Sequence, residues 1–248
     1  MEWAWFFDVD GTLVEIAASP SRIVVHDELL PLIEQLHSRT KGAVSLITGR
    51  AIRDLDQFLP LPGISIAGQH GLELRTADGK MISNMVGQEV LIPVRDALTA
   101  AVARHPGLMA EFKGMSMALH YRRAPTLAGY AHRLVRSLQA TYAPEFLILK
   151  GKRVVELRPA GMDKGEAIRR LMATEPFRGR TPVFIGDDVT DEAGFAVVNA
   201  MSGHSIKVGP GPSSARFRLR SVTQVREWLG AAMNGAAALA GPEKKGER

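Results

Sequence analysis

The stretch Phe6-Phe7-Asp8-Val9-Asp10-Gly11-Thr12-Leu13 constrains this chain more than any other. The apolar, aromatic run from Trp3 to Phe7 reads as a buried strand. It stops abruptly in two carboxylates two residues apart. Period-two alternation points Asp8 and Asp10 the same way. Parallel sheets carry their chemistry at the carboxyl ends of their strands. Two like charges held this close invite a cation or a shared proton. A plain Asp-Gly turn closing a strand is the rival reading, and only the rest of the chain decides between them.

Strand and helix signals alternate through the first part. Leu29, Leu30, Ile33 and Leu36 give a helical spacing over 27–40, with Asp27 as N-cap. A short apolar run over 43–48 ends in Thr48-Gly49-Arg50, and a helix follows to about Phe58, closed by Pro60 and Pro62. A third strand over 64–67 ends in Gly68-Gln69-His70-Gly71. Short strands over 72–75 and 80–83 flank Ala77-Asp78-Gly79, a hairpin turn. Strand–helix repetition argues a parallel sheet with covering helices.

The pattern changes near residue 88. A helix carrying Val90, Leu91, Val94, Leu98, Ala101 and Val102 is followed by strands over 109–113 and 116–122, joined at Gly114. A helix carrying Leu127, Tyr130, Leu134, Val135 and Leu138 precedes strands over 146–150 and 153–158, joined at Gly151. This is an α+β unit inserted in the first domain. Met117, Leu119 and Tyr121 share one face with the helices, while Ser116, His120 and Arg122 share the other. Glu111 and Lys113 lie on one face of their strand, and Glu156 and Arg158 oppose Val155 and Leu157. One face of an antiparallel sheet can stay wet, and this one is lined with Glu, Lys, His and Arg.

After Pro159 the alternation resumes. Asp163 caps a helix that opens Lys164-Gly165, with Ala167, Ile168, Leu171 and Met172 on its apolar side. A buried strand over 181–186 ends in Asp187-Asp188-Val189-Thr190-Asp191-Glu192, and a helix over 192–199 follows. A strand over 205–208 and a helix over 222–229 complete the pattern. The expected domains are 1–87 and 160–230 for the core and 88–159 for the insertion, with 231–248 a disordered tail.

Charge and cysteine content narrow the function. With no cysteine, disulfides, zinc-thiolate sites and a thiol nucleophile are excluded, and a cytoplasmic setting is expected. No basic and apolar leader precedes the first strand, and no apolar run reaches membrane-spanning length. Residues 89–158 hold 11 Lys+Arg against 5 Asp+Glu, whereas the rest holds 20 against 21. That local surplus suits a small anionic substrate better than nucleic acid. The pattern gives no oligomeric state; a monomer is plausible.

Four motifs sit at strand ends or a helix start: Asp8/Asp10, Thr48, Lys164 and Asp187/Asp188. Carboxylates so placed can hold Mg²⁺, a hard cation that takes oxygen ligands and substrate phosphate. Lys164 and Thr48 supply a cation and a hydroxyl for phosphate oxygens. Phosphoryl transfer needs positioning and charge neutralisation above all. A carboxylate can take the phosphoryl group as an aspartyl-phosphate, and a second can move the protons.

In order and spacing, Asp8-Val9-Asp10-Gly11-Thr12-Leu13, Thr48-Gly49-Arg50, Lys164-Gly165 and Gly186-Asp187-Asp188-Val189-Thr190-Asp191-Glu192 resemble the four motifs of the haloacid dehalogenase superfamily of phosphatases. The insertion is similar to that superfamily's type C2 cap, an α/β lid. Within that superfamily, Gly68-Gln69-His70-Gly71, Glu111-Phe112-Lys113-Gly114-Met115-Ser116, His120-Tyr121-Arg122 and Glu156-Leu157-Arg158-Pro159 resemble the trehalose-6-phosphate phosphatase family. The resemblance implies an α/β, Rossmann-like parallel-sheet core with an inserted α+β cap. It implies Mg²⁺-dependent hydrolysis of trehalose 6-phosphate in trehalose biosynthesis. Asp8 would be nucleophile and metal ligand, and Asp10 the general acid–base, its main-chain carbonyl also on the metal. Thr48 and Lys164 would hold the phosphoryl group, with Gly11, Gly49, Arg50 and His70 around the substrate. Asp187 would bind the metal with Asp188 in support. Glu111, Lys113 and Glu156 would bond sugar hydroxyls, joined by His120 and Arg122. A related phosphatase of sucrose phosphate or mannosyl-3-phosphoglycerate is the enzymatic alternative. A non-catalytic sugar-phosphate sensor would be expected to lack Asp8, Asp10 or Lys164. A dinucleotide-binding reading lacks Gly-x-Gly-x-x-Gly after the first strand.

Overall fold

The structure, a computed structural model, describes residues 2–16, 23–83, 87–113, 115–151 and 153–233, without the side chains of Ser83, Gln88 and Lys113. In chain order the first elements are β1 (Trp3–Phe7), α1 (Leu29–Arg39), β2 (Val44–Ile47), α2 (Ile52–Leu55), β3 (Ser65–Gly68), β4 (Glu73–Arg75) and β5 (Met81–Ser83). There follow α3 (Gln88–Arg104), β6 (Met109–Lys113), β7 (Ser116–His120), α4 (Ala128–Tyr142), β8 (Phe146–Gly151) and β9 (Val154–Pro159). The last are α5 (Lys164–Met172), β10 (Thr181–Gly186), α6 (Glu192–Ala200), β11 (His204–Val208), β12 (Phe217–Leu219) and α7 (Val222–Met233). The chain divides into two compact units, one up to Ser83 and from Met162 onward, the other between them and ending at Gly161.

The first unit is built on an eight-stranded sheet in the order β12-β11-β10-β1-β2-β3-β4-β5. Strands β12 through β3 run parallel, and β4 and β5 are antiparallel. β1 lies inside the sheet and is covered on both faces, which is why its sequence is a continuous apolar run. Trp5 and Phe7 pack with Leu29, Ile33 and Leu36 of α1 and Val225, Leu229 and Met233 of α7. Ala4 and Phe6 pack on the other side with Ala167, Ile168 and Leu171 of α5 and Phe195 and Val198 of α6. Trp5, Phe6 and Phe7 are fully buried, each contributing about 1.5–3 kcal/mol. That matters because Asp8 follows directly, and burying a carboxylate costs several kcal/mol. The aromatic strand outweighs that cost and keeps the acid in place.

The second unit carries a four-stranded antiparallel sheet in the order β6-β7-β9-β8. Its α3 and α4 pack on one face, where Met117, Leu119, Val155 and Leu157 are buried. The other face holds Glu111, Ser116, His120 and Glu156.

Several boundaries differ from the sequence expectation. Asp27 does not cap α1: Leu29 N donates to His26 O at 2.9 Å, so the helix starts from a turn, with Glu28 at the cap position. α2 closes at Leu55 rather than Phe58, the chain passing through turns before Pro60 and Pro62. β7 ends at His120, so Arg122 stands exposed in a turn and no pleat fixes it to the polar face. β12 has no counterpart in the sequence reading. α7 runs on to Met233, where Ala232 and Met233 join the core. Of the disordered tail expected over 231–248, residues 231–233 are helical, while 234–248, like the expected hairpin joint at Gly114, lie outside the described residues. Among the described residues no helix is long and apolar enough to cross a membrane.

Candidate active site

The order of the sheet reverses at β1. From β1 the chain moves outward to β2 and β3, and later returns on the other side through β10. Such a switch point opens a crevice at the carboxyl ends of the strands. Asp8 follows β1, Thr48 follows β2 and Asp187 follows β10. The ladder fixes their levels: Asp8 N donates to Ile185 O at 2.9 Å and Thr48 N to Ala67 O at 2.8 Å.

Lys164 ties the carboxylates together. It is the first residue of α5, whose N-cap Asp163 accepts from Glu166 N at 2.9 Å. A cation at a helix N-terminus opposes the helix dipole, and this one is only 3% exposed. Two carboxylates compensate it: Lys164 Nζ donates to Asp8 Oδ1 and to Asp191 Oδ1, both at 2.6 Å. Asp8 is 4% exposed and also accepts from Thr12 Oγ1 at 3.4 Å. The second oxygen of Asp191 accepts from Asp187 N at 2.9 Å and Asp188 N at 2.8 Å.

Asp8, Asp187 and Asp191 each place a carboxylate oxygen within 4.8 Å of the others. Asp191 is committed on both oxygens, so it organises the cluster. Asp187 Oδ1 is buried, and among the described residues no donor bonds it. The Lys164 ammonium bonds two of the three clustered carboxylates, so negative charge is in excess around it. An orphaned buried oxygen beside Asp8 and that excess fit a divalent cation with hard oxygen ligands. Asp8 and Asp187 would hold it. Burial pushes the Asp8 carboxyl well above its usual range; Lys164 pulls it back, and Asp191 and Asp187 add to the rise. Burial and then the charge of Asp191 push the Asp187 carboxyl up as well. Burial alone would lower Lys164, but Asp8 and Asp191 hold it above the usual lysine range.

The carboxylates of Asp188, expected in support of the metal, and of Asp10, expected to reach it by its main-chain carbonyl, point outside this cluster. Asp188 is exposed and accepts from Val189 N at 2.6 Å, forming a reciprocal capping box with Asp191. Asp191 takes the inward place because the turn over Val189–Asp191 carries it back under the strand end. The Asp10 carboxylate is held by Arg50, whose Nε and Nη2 donate to it at 2.6 Å each.

Gly11 and Gly49 are there for space. Gly11 has φ +80°, and a Cβ on it would fall 2.2 Å from Asp187 Oδ2. A Cβ on Gly49 would fall 2.8 Å from the His70 ring. The Thr48–Arg50 loop is braced by the next one: His70 N donates to Thr48 O at 2.9 Å and Gln69 N to Arg50 O at 2.8 Å. Gln69 and His70 adopt φ of 47° and 58°, a left-handed backbone that costs side-chain-bearing residues about 1–3 kcal/mol each. Thr48 is buried, and its Oγ1 accepts from Arg50 N at 3.1 Å. Asp8, Asp10, Gly11, Thr48, Gly49, Arg50, His70 and Lys164 therefore share one neighbourhood.

The open face of the second unit gathers the others. Glu111, Ala118, Glu156 and Leu149 form one row across the four strands. Glu156 accepts from Ser116 Oγ at 2.8 Å, and His120 Nε2 and Glu111 Oε2 lie 2.9 Å apart. Lys113 ends β6, its side chain lying outside the described residues. Asp191 is the residue that sequence reasoning passed over. Its signal was there: a third acid in the motif, one turn after the strand.

A trehalose-phosphatase family model matches residues 6–223. The chain is 42% identical over 228 residues to the trehalose-6-phosphate phosphatase of Escherichia coli strain K12, covering 92% of this chain and 85% of that one. It is 38% identical over 220 residues to a probable trehalose-phosphate phosphatase of Sinorhizobium fredii, covering 89% and 82%. Among solved structures, a trehalose-6-phosphate phosphatase related protein superposes with a TM-score of 0.74 at 27% identity, covering 94% of this chain and 98% of that one. The Aspergillus fumigatus trehalose-6-phosphate phosphatase does so with a TM-score of 0.75 at 25% identity, covering 94% and 93%.

Proposed function

The chain belongs to the trehalose-phosphatase family, with the haloacid dehalogenase fold, and we propose that it hydrolyses trehalose 6-phosphate through a phosphoryl-aspartate at Asp8. It is a phosphatase acting on a sugar phosphate. The observation that carries the mechanism is the buried Lys164 ammonium bonded to Asp8 beside the unpartnered Asp187 oxygen.

An Asp8 oxygen attacks phosphorus and the bond from phosphorus to the sugar oxygen breaks. Asp10 gives the leaving oxygen its proton. A water then attacks the phosphoryl-aspartate, giving its proton to Asp10 and restoring the Asp8 carboxylate. Thr48 and Lys164 neutralise the phosphoryl oxygens as charge moves. Arg50 fixes where the Asp10 carboxylate stands, and the Asp10 main-chain carbonyl would join Asp8 and Asp187 around Mg²⁺. A dication bound there supplies positive charge against the phosphate and the crowded carboxylates. Glu111, Lys113 and Glu156 select the sugar by its hydroxyls, with His120 held against Glu111. The lack of cysteine supports a cytoplasmic setting.

The test is phosphate release from a panel of trehalose 6-phosphate, sucrose 6-phosphate, mannosyl-3-phosphoglycerate and glucose 6-phosphate, with Mg²⁺ and after chelation. Trehalose 6-phosphate is expected to lead by about 100-fold or more in kcat/KM, and chelation to abolish turnover until Mg²⁺ returns. Preference for another member of the panel sinks the substrate, and full activity after chelation sinks the cation. Glu156→Gln is expected to raise KM for trehalose 6-phosphate by about 10-fold, the loss of one charged hydrogen bond. Hydrolysis of p-nitrophenyl phosphate, which has no sugar, should stay unchanged in the same variant.

A further inference from the structure

Lys207 is a buried ammonium near the end of β11. It sits on β11 after Ile206, pairs in register with Gly186 of β10, and is 6% exposed. Its Nζ donates to the main-chain carbonyl of Asp187 and, at 2.8 Å, to that of Val208. Taking an ammonium out of water for two carbonyls needs a reason.

The peptide linking Asp187 to Asp188 supplies one. Its carbonyl accepts from Lys207, and its N–H, on Asp188, donates to Asp191 Oδ2 at 2.8 Å. One peptide plane is thus held at both ends. The N–H of Asp187 itself is held by the same Asp191 oxygen at 2.9 Å. With the peptides on either side pinned, the backbone of Asp187 is held, and with it the point and direction from which its carboxylate leaves the chain toward Asp8 and Asp191.

We propose that Lys207 is a positioning residue for cation binding, acting through the main chain of Asp187. The proposal rests on the reading of Asp8 and Asp187 as cation ligands. Its sign is diagnostic. Lys207 is a positive charge near a cation site, so by charge alone its removal should tighten cation binding. By positioning, its removal should loosen it, and partners behind metal ligands typically contribute about 10–100-fold in affinity.

The experiment is Mn²⁺ binding to the full chain, read from the electron paramagnetic resonance of free Mn²⁺, with melting of the metal-free protein followed by circular dichroism. Wild type should bind Mn²⁺ and Asp187→Asn should lose it; if wild type binds none, the cation reading falls and takes this proposal with it. Given wild-type binding, Lys207→Met should weaken Mn²⁺ by about 10–100-fold, and Lys207→Arg, which keeps the donors, should restore most of it. Should the methionine variant not fold, Lys207→Gln, shorter and uncharged, reads the same direction. Unchanged or tighter Mn²⁺ binding in the Met or Gln variant overturns the proposal, whatever happens to the melting temperature.

Discussion

Asp8→Asn removes phosphate release by at least about 10⁴-fold, the scale expected when a nucleophile is lost, and leaves the protein as stable as before or more so. The two halves of that result have one cause. Asp8 is buried beside Asp187 and Asp191, and its carboxyl is pushed well above the usual range first by burial. An amide of the same shape sheds the buried charge and its repulsion. Lys164 is not stranded, because Asp191 still accepts from it at 2.6 Å. Activity should therefore vanish while the melting temperature holds or rises. Turnover within tenfold of wild type would rule out an aspartyl nucleophile at this position.

The core of this site was readable from sequence because buried parallel strands announce where they end. Trp3–Phe7 is apolar throughout and stops at Asp8; Thr181–Gly186 behaves the same way before Asp187. Asp163 as the cap of α5, and with it the place of Lys164, followed from a short acid before a helical pattern. Alternation separated the two faces of the second unit, since Val155 and Leu157 are buried and Glu156 is not.

Where the reading stopped, the cause was one-residue geometry. Asp187, Asp188 and Asp191 are equivalent as letters. The single turn of helix over Val189–Asp191 turns Asp188 outward and Asp191 inward, and no periodicity exists over so few residues. Arg122 fell off the polar face for the same reason, β7 ending two residues before it. β12, Phe217–Leu219, is too short to show alternation. The last turn of α7 hid behind Gly230 and a run of alanines, although Ala232 and Met233 are buried. The sequence shows Lys207 only as part of a short strand, because the carbonyl it holds belongs to a residue twenty positions away.

Lys164→Met approaches the Lys164–Asp8 pair from its other end and should give the opposite stability result. It removes the cation that bonds both Asp8 and Asp191 and leaves their carboxylates buried together. Removing one partner of a buried pair so that charge is left uncompensated costs about 3–5 kcal/mol, and the loss of a preorganised cation costs about 10²–10³-fold in kcat. The stability cost should depend on pH with a definite sign. The Asp8 carboxyl already titrates above its ordinary 3.8 in the folded chain, and losing Lys164 removes a contribution that lowers it. A group whose folded pKa is raised favours the fold below its unfolded pKa and loses that contribution as pH rises through the folded value. The variant should therefore be closest to wild type in acid and fall away toward neutral and alkaline pH. Urea midpoints across that range measure it. Equal destabilisation of Asp8→Asn and Lys164→Met would mean that the pair stabilises as a bond. A stable Asp8→Asn beside a weakened Lys164→Met would mean that Lys164 is there to hold an excess of negative charge that the chemistry requires.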